Sequence, residues 1–305
     1  MIIIPQDFID KTVSRKGREG QQWLDSLTDV VGRLAVKWNL KIRDTFSNLS
    51  YNFVVNVENA DGSTAVLKVG WKTDKEFKFE YDSLKIFDGH GIARVLEYSD
   101  AEPAMLLEKL EPGKMLSLIE DDEEATEIAA KVMKELWQEV PSNYSFPSVG
   151  DWGLEFARIR DRFGGTSGPL PKEIFNKAED LYKNLVASQE KTVLLHGDLH
   201  HYNILSAKRE AWLAIDPKGL IGEPAYETGS YLRNPIPELL ERSNQKEMFR
   251  KRVAIFTDLL GMNRERVVGW AYSQAVLSAC WCVSENEKED TWKFFIRCAE
   301  IFDSI

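Results

Sequence analysis

Residues 194–205 read LLHGDLHHYNIL, and residues 214–219 read AIDPKG. The first stretch sets His196, Gly197 and Asp198 ahead of Asn203, and the second places Asp216 behind an apolar run. Residues 193–195 are an apolar approach to the loop, residues 204–205 leave it, and residues 212–215 lead up to Asp216. The expected pattern is strand, loop, strand, turn, strand, carboxylate. An Asp ahead of an Asn on a short loop can supply a carboxylate for a hydroxyl proton and one ligand for a hard cation. A second Asp leaving a buried strand supplies another ligand. Magnesium takes oxygen ligands and keeps some of its waters, so one amide and one carboxylate suffice beside a triphosphate. These are the parts that phosphoryl transfer requires. Four residue types at four fixed places arise by chance in on the order of one in a thousand chains of this length. The spacing therefore outweighs the alternative, in which Asp and Asn serve only as turn residues.

A cation for the phosphates is available upstream. Residues 65–69, AVLKV, read as a buried strand with a single lysine, Lys68, after an Asp61-Gly62 turn and a strand over 53–57. A glutamate on the following helix can hold such a lysine. Phe77, Tyr81, Leu84 and Lys85 recur at helical spacing around Glu80, and Glu76 lies one turn earlier on the same face, so both are candidates.

With these residues the chain resembles the aminoglycoside phosphotransferase group of the protein-kinase-like superfamily. Within it, the chain is similar to the streptomycin-kinase or hydroxyurea-phosphotransferase type. AVLKV, EYDSLKIFDGHGIARVLEY, MLLEKLEPG, LLHGDLHHYNIL, AIDPKGLIGEPAYE and WAYSQAVLSACWCVSENE carry the resemblance, from about Thr45 to the C-terminus. It implies an α+β, two-lobe protein-kinase-like fold. The small antiparallel-sheet lobe would span residues 1–110 and the larger, mostly helical lobe residues 111–305. It implies Asp198 as catalytic base, Asn203 and Asp216 as Mg²⁺ ligands, and Lys68 as phosphate contact paired with Glu80. Backbone around Glu108 and Leu110 would meet adenine. Ser47-Asn48-Leu49-Ser50-Tyr51-Asn52 would lie over the phosphates without a glycine, through hydroxyls such as Ser50 and backbone N–H groups. Pro217 follows Asp216 where protein kinases carry Phe, and no Ala-Pro-Glu follows, which argues against protein substrates. His200, Glu223, Glu227, Trp281 and Glu285, with Glu287 and Asp290, are candidates for the acceptor site.

Composition sets the outer bounds. A chain of 305 residues with 43% hydrophobic content and nine tryptophans can bury the cores of two lobes. Residues 1–110 hold 15 Lys/Arg against 17 Asp/Glu, and residues 111–305 hold 24 against 32. This acidic balance is wrong for nucleic acid and suits a cationic small-molecule acceptor. The start, MIIIP, lacks the features of a signal peptide, and no span of roughly 20 apolar residues for a membrane is expected. Cys280, Cys282 and Cys298 read as buried thiols, and the expected location is cytoplasmic.

Helical spacing recurs within residues 1–44 and is expected over 123–140, 171–189, 237–260, 264–283 and 289–302. Residues 141–153 read as loop, residues 164–169 as a flexible loop, and Glu111-Pro112-Gly113 as the junction between lobes. The expected reaction moves the γ-phosphoryl of ATP, with GTP also open, to a hydroxyl of a streptomycin-like aminoglycoside. An amino alcohol, sugar or amino-sugar metabolite is the alternative acceptor. A metal-dependent hydrolase built on His196, His200, His201, Asp198 and Asp216 would need His200 and His201 to converge, yet adjacent residues point apart. A nucleotide-binding pseudokinase is disfavoured by the intact Asp198, Asn203 and Asp216 set.

Overall fold

Alternating apolar residues build the first of two units, Met1–Glu111; the second is Pro112–Ile305. The computed structural model describes residues 2–47, 49–71, 73–236 and 238–305. Met1 of the N-terminal segment, Asn48 of the loop expected over the phosphates, Lys72, and Pro237 at the expected start of a helix lie outside them. The first unit runs α1 (Gln6–Lys37), β1 (Lys41–Thr45), β2 (Phe53–Glu58), β3 (Thr64–Val69), α2 (Lys75–Phe87), β4 (Val95–Ser99) and β5 (Ala104–Glu108). Its antiparallel sheet has the order β1-β2-β3-β5-β4. Phe53, Val55, Val57, Ala65, Leu67, Val69, Ala104 and Leu106 bury against Phe8, Leu24, Leu27, Val31 and Leu34 of α1. Each buried Val, Leu or Phe among them stabilises the unit by roughly 1.5–3 kcal/mol relative to exposure. The period of two then turns Lys68 to the opposite face, in register with Val54 and Met105 on the neighbouring strands.

The second unit is mostly helical. Its elements are β6 (Pro112–Met115), α3 (Asp122–Leu136), α4 (Val149–Arg162), α5 (Lys172–Ala187), β7 (Val193–Leu195), β8 (Ile204–Ala207), β9 (Trp212–Ala214) and β10 (Leu220–Gly222). There follow α6 (Pro224–Leu232), α7 (Glu238–Glu241), α8 (Gln245–Leu260), α9 (Arg264–Ser284) and α10 (Glu289–Asp303). β6-β8-β9 and β7-β10 are two short sheets that carry the loops at 196–203 and 215–219.

Several boundaries differ from expectation. The helix expected over 123–140 stops at Leu136, because the Leu194 N–H donates to the Gln138 carbonyl at 2.8 Å and draws that segment to β7. The loop expected over 141–153 gives way to α4 at Val149. There Ser148 and Asp151 form a reciprocal capping box. Gly153 is a packing residue rather than a loop marker: a Cβ there would lie 2.4 Å from the Tyr182 ring of α5. The helix expected over 237–260 is split into α7 and α8. The turn at 164–169 is tied down by Arg160 donating to the Gly165 carbonyl at 3.1 Å and Ser167 donating to the Leu170 carbonyl at 2.7 Å. Contrary to the expected absence of such a span, α9 is long and apolar enough to cross a membrane, but 78% of its most apolar window is buried. A helix apolar on all sides belongs in a core, and α9 packs against α4, α5, α6 and α10.

Candidate active site

In the first unit Lys68 Nζ lies 2.6 Å from Glu80 Oε1, with both residues buried at 5% and 6% exposure. Of the two candidate glutamates, Glu80 is the partner, and Glu76 sits exposed on the first turn of α2. Removing either member of a buried pair strands a charge, at a cost of about 3–5 kcal/mol, so each fixes the other. Ser50 is exposed, and its carbonyl accepts from Arg15 at 2.9 Å, while the Arg15 guanidinium lies over the Tyr51 ring at 4.3 Å. α1 thus holds the loop expected over the phosphates. The Glu108 N–H donates to the Arg94 carbonyl at 2.8 Å, which leaves that N–H engaged; Leu110 is buried two residues further on.

In the second unit two ladders bring the catalytic-loop residues together. The β8–β9 hairpin aligns Ile204 with Ala214, and the Ile215 N–H donates to the Asn203 carbonyl at 2.9 Å. The β7–β10 pair aligns Leu195 with Leu220, and the Lys218 N–H donates to the His196 carbonyl at 2.7 Å. Asn203 and Asp216 therefore leave neighbouring strand ends, beside Asp198.

His196 is fully buried. Its Nε2 meets the Ile215 carbonyl at 2.7 Å, and its Nδ1 accepts the Asp198 N–H at 3.2 Å. These partners assign a neutral ring protonated on Nε2. Burial pushes its pKa down to about 4, against the pull of the Ile215 carbonyl. Below the loop, Glu227 is buried and its two oxygens accept the His196 and Gly197 N–H groups at 2.7 and 2.9 Å. Burial raises its carboxyl to about 7, with the amide donors opposing.

Asp198 remains partly open, with 36% of its side chain exposed. Oδ1 accepts from Ser230 Oγ at 3.0 Å, and Oδ2 faces His200 Nε2 at 3.7 Å. The Tyr202 N–H donates to His200 Nδ1 at 3.3 Å, so the ring proton of His200 sits on Nε2 and points at Asp198. Burial alone would raise the Asp198 carboxyl; His200, Lys218 and Arg233 outweigh it and hold the group well below the usual carboxylate range. The carboxylate is charged at any pH near neutral.

The donor set suits magnesium. Asn203 Nδ2 donates to the Asp198 carbonyl at 2.9 Å, so the amide oxygen is the end that could meet a cation. Asp216 is exposed and held at φ 60°, a left-handed conformation uncommon outside glycine. Among the described residues no three His, Cys, Asp or Glu side chains gather as ligands, whereas a hydrolytic zinc site needs about three. His200 faces Asp198, while His201 is buried, stacked on Tyr231 at 4.0 Å and 3.5 Å from the buried Arg252.

The acceptor candidates separate. Glu223 accepts from Arg266 at 2.5–3.0 Å and from the Trp270 indole, so its carboxylate is engaged inside the helical core. Glu227 supports the loop from within and does not line an open surface. Glu285 is exposed on the turn after α9. Trp281 meets Trp152 edge to face at 5.5 Å, and Trp152 in turn reaches Gly197, where a Cβ would lie 3.4 Å from its ring.

Residues 33–286 match the aminoglycoside/hydroxyurea antibiotic resistance kinase family. The chain belongs to that family. Among relatives of this kinase, streptomycin 6-kinase of Streptomyces glaucescens is 28% identical over 94% of the chain and 92% of the relative. Hydroxyurea phosphotransferase of Kitasatospora aureofaciens is 27% identical over 94% of the chain and 82% of the relative. An aminoglycoside phosphotransferase solved with ADP and hygromycin B aligns with a TM-score of 0.62 at 16% identity, over 90% of this chain and 97% of that one. Choline kinase of Streptococcus pneumoniae aligns at 0.63 and 13%, over 92% and 99%. These structures share the protein-kinase-like α+β fold. The kinase is a phosphotransferase acting on a hydroxyl group.

Sequence reading passed over Ser230, Arg233 and Trp152 in this kinase. Ser230 and Arg233 reach Asp198 from a helix about thirty residues downstream, a distance no local spacing signals. The indole of Trp152 lay in the segment read as loop; the Ser148-x-x-Asp151 capping signature was the available signal for a helix there.

Proposed function

We propose that the kinase transfers the γ-phosphoryl group of ATP to a hydroxyl of a streptomycin-type aminoglycoside, with Mg²⁺. The observation that carries this reading is the Asp198 carboxylate, open to solvent on one side and fixed on the other by Ser230 and His200. It would accept the proton of the acceptor hydroxyl as the oxygen attacks the γ-phosphorus and the ADP oxygen leaves. Its low basicity fits a proton that moves late, once the acceptor oxygen has begun to bond to phosphorus. Asn203 and Asp216 would hold magnesium, which supplies charge neutralisation at the phosphates. Lys68, kept in place by Glu80, would contact the α- and β-phosphates, and the His196–Glu227 framework would keep Asp198 in register. The acceptor class follows from the streptomycin kinases and from the acidic balance of residues 111–305. The expected location is cytoplasmic, where ATP is available.

The test is Mg-ATP-dependent ADP release against streptomycin, other aminoglycosides, hydroxyurea, choline and common sugars. Stimulation by streptomycin is expected, and Asp198→Asn should lower kcat by about 10³-fold with ATP affinity retained. Full transfer by Asp198→Asn would overturn the assignment of the base. Stimulation by a sugar or amino alcohol alone would overturn the acceptor class.

A further inference from the structure

Two of the carboxylates expected to greet a cationic acceptor are occupied elsewhere, whereas Glu285, Glu287 and Asp290 stay exposed. Glu223 is bound to Arg266 and Trp270, and Glu227 to the amides of the catalytic loop. Glu155, on the helix that carries Trp152, is buried against Ser284 and Arg158. Beside the catalytic loop stands Trp152, with Trp281 packed against it. A Cβ on Gly197, the residue before Asp198, would lie 3.4 Å from the Trp152 ring, and Trp281 meets Trp152 at an interplanar angle of 87°. Unlike Trp270, which is fully buried, both are partly exposed. Lys218 Cβ would lie 3.2 Å from the same added Cβ.

We infer that Trp152 and Trp281 form a right-angled aromatic corner that binds a planar guanidinium group of the acceptor; this rests on the reading of Asp198 as the base for an aminoglycoside hydroxyl. A guanidinium laid on one indole face turns its N–H edge toward the face of the other. It is flat and weakly hydrated, so it stacks at small desolvation cost. An ammonium is a compact, strongly hydrated point charge and gains less from the same corner. The corner thus selects guanidinium-bearing aminocyclitols over those that carry amines alone.

The experiment measures streptomycin binding by calorimetry and streptomycin KM in the wild type, Trp152→Leu, Trp281→Leu and Trp152→Phe, with thermal melts alongside. Methylguanidinium and methylammonium serve as competitors. Each Leu variant should weaken binding about tenfold and raise KM to match, without a change in ATP affinity. The Phe variant keeps an aromatic face and should recover most of the loss. Methylguanidinium should compete better than methylammonium in the wild type, and that advantage should vanish in the Leu variants. Unchanged streptomycin affinity in both Leu variants, or equal competition by the two cations, overturns the inference. So does an equal loss in the Phe and Leu variants, which marks a packing role. A wild type that binds streptomycin through these indoles without phosphorylating it sinks the proposed reaction and leaves the corner standing. One that phosphorylates streptomycin with unchanged KM in the Leu variants sinks the corner alone.

Discussion

His196 illustrates how one buried ring ties catalytic geometry to pH. Burial pushes its pKa down to about 4, while in the unfolded chain it keeps the ordinary value near 6.5. Below that value the unfolded state takes up a proton that the folded state refuses. The stability His196 contributes is therefore present above about pH 6.5 and lost as pH falls toward 4, by about 3 kcal/mol. His201, also pushed down by burial and then by Arg252, acts in the same direction. Asp198 adds no slope in this window, because its contribution declines only below its ordinary carboxylate pKa of 3.8. Glu227, raised by burial to about 7, acts in the opposite direction: its folded form takes up a proton before the unfolded one does, so it stabilises as pH falls over the same window and offsets His196. Urea midpoints of Glu227→Gln should therefore fall more steeply from pH 7 to pH 4.5 than those of the wild type. His196→Asn should be less stable at pH 7 and show a shallower fall; an unchanged slope would place the acid sensitivity elsewhere. Spacing along one loop made His196, Asp198 and Asn203 readable from the sequence. The partners of Glu223 and Glu227 were not readable, because each meets groups about thirty to forty-five residues away that only the tertiary fold brings near.

At the scale of elements, α4 shows a glycine whose meaning depends on its neighbour. Gly→Ala on an open helix face stabilises by about 1 kcal/mol. At Gly153 the added methyl would meet a Tyr182 ring that cannot yield, since its hydroxyl donates to the Val149 carbonyl at 2.6 Å. Overpacking of this kind costs about 1–3 kcal/mol and prevails over propensity. Gly153→Ala should lower the urea midpoint, and a raised midpoint would show that α4 and α5 are not in close contact there. Loop-like composition over 141–153 concealed the start of α4 for this reason. The β8–β9 hairpin and the β3 strand were legible because alternation and turn residues agree in them. α6 was not, because its helix is buried nearly all round and presents no polar face to give a period.

Over the whole molecule, the division into two units at Glu111 and Pro112 falls where Glu-Pro-Gly interrupts both periodicities. The acidic excess of the second unit should draw in a cationic acceptor through its long-range field. Streptomycin KM should therefore rise several-fold between about 20 and 300 mM salt, as the screening length contracts from roughly 20 to 6 Å. A flat response would mean that local contact alone captures the acceptor. Fold class was readable because each lobe has its own period, strands of two and helices near 3.6. The uncharged run at 267–284 was missed as an apolar span because Ser, Gly and Gln dilute it. That run has a consequence during synthesis. α9 leaves the ribosome after α4, α5 and α6, its partners in the core, and before α10. Until it docks it has the composition of a membrane anchor, and a chain terminated ahead of it leaves the earlier helices with their inner faces bare. The second unit can thus close its core only once α9 has been made.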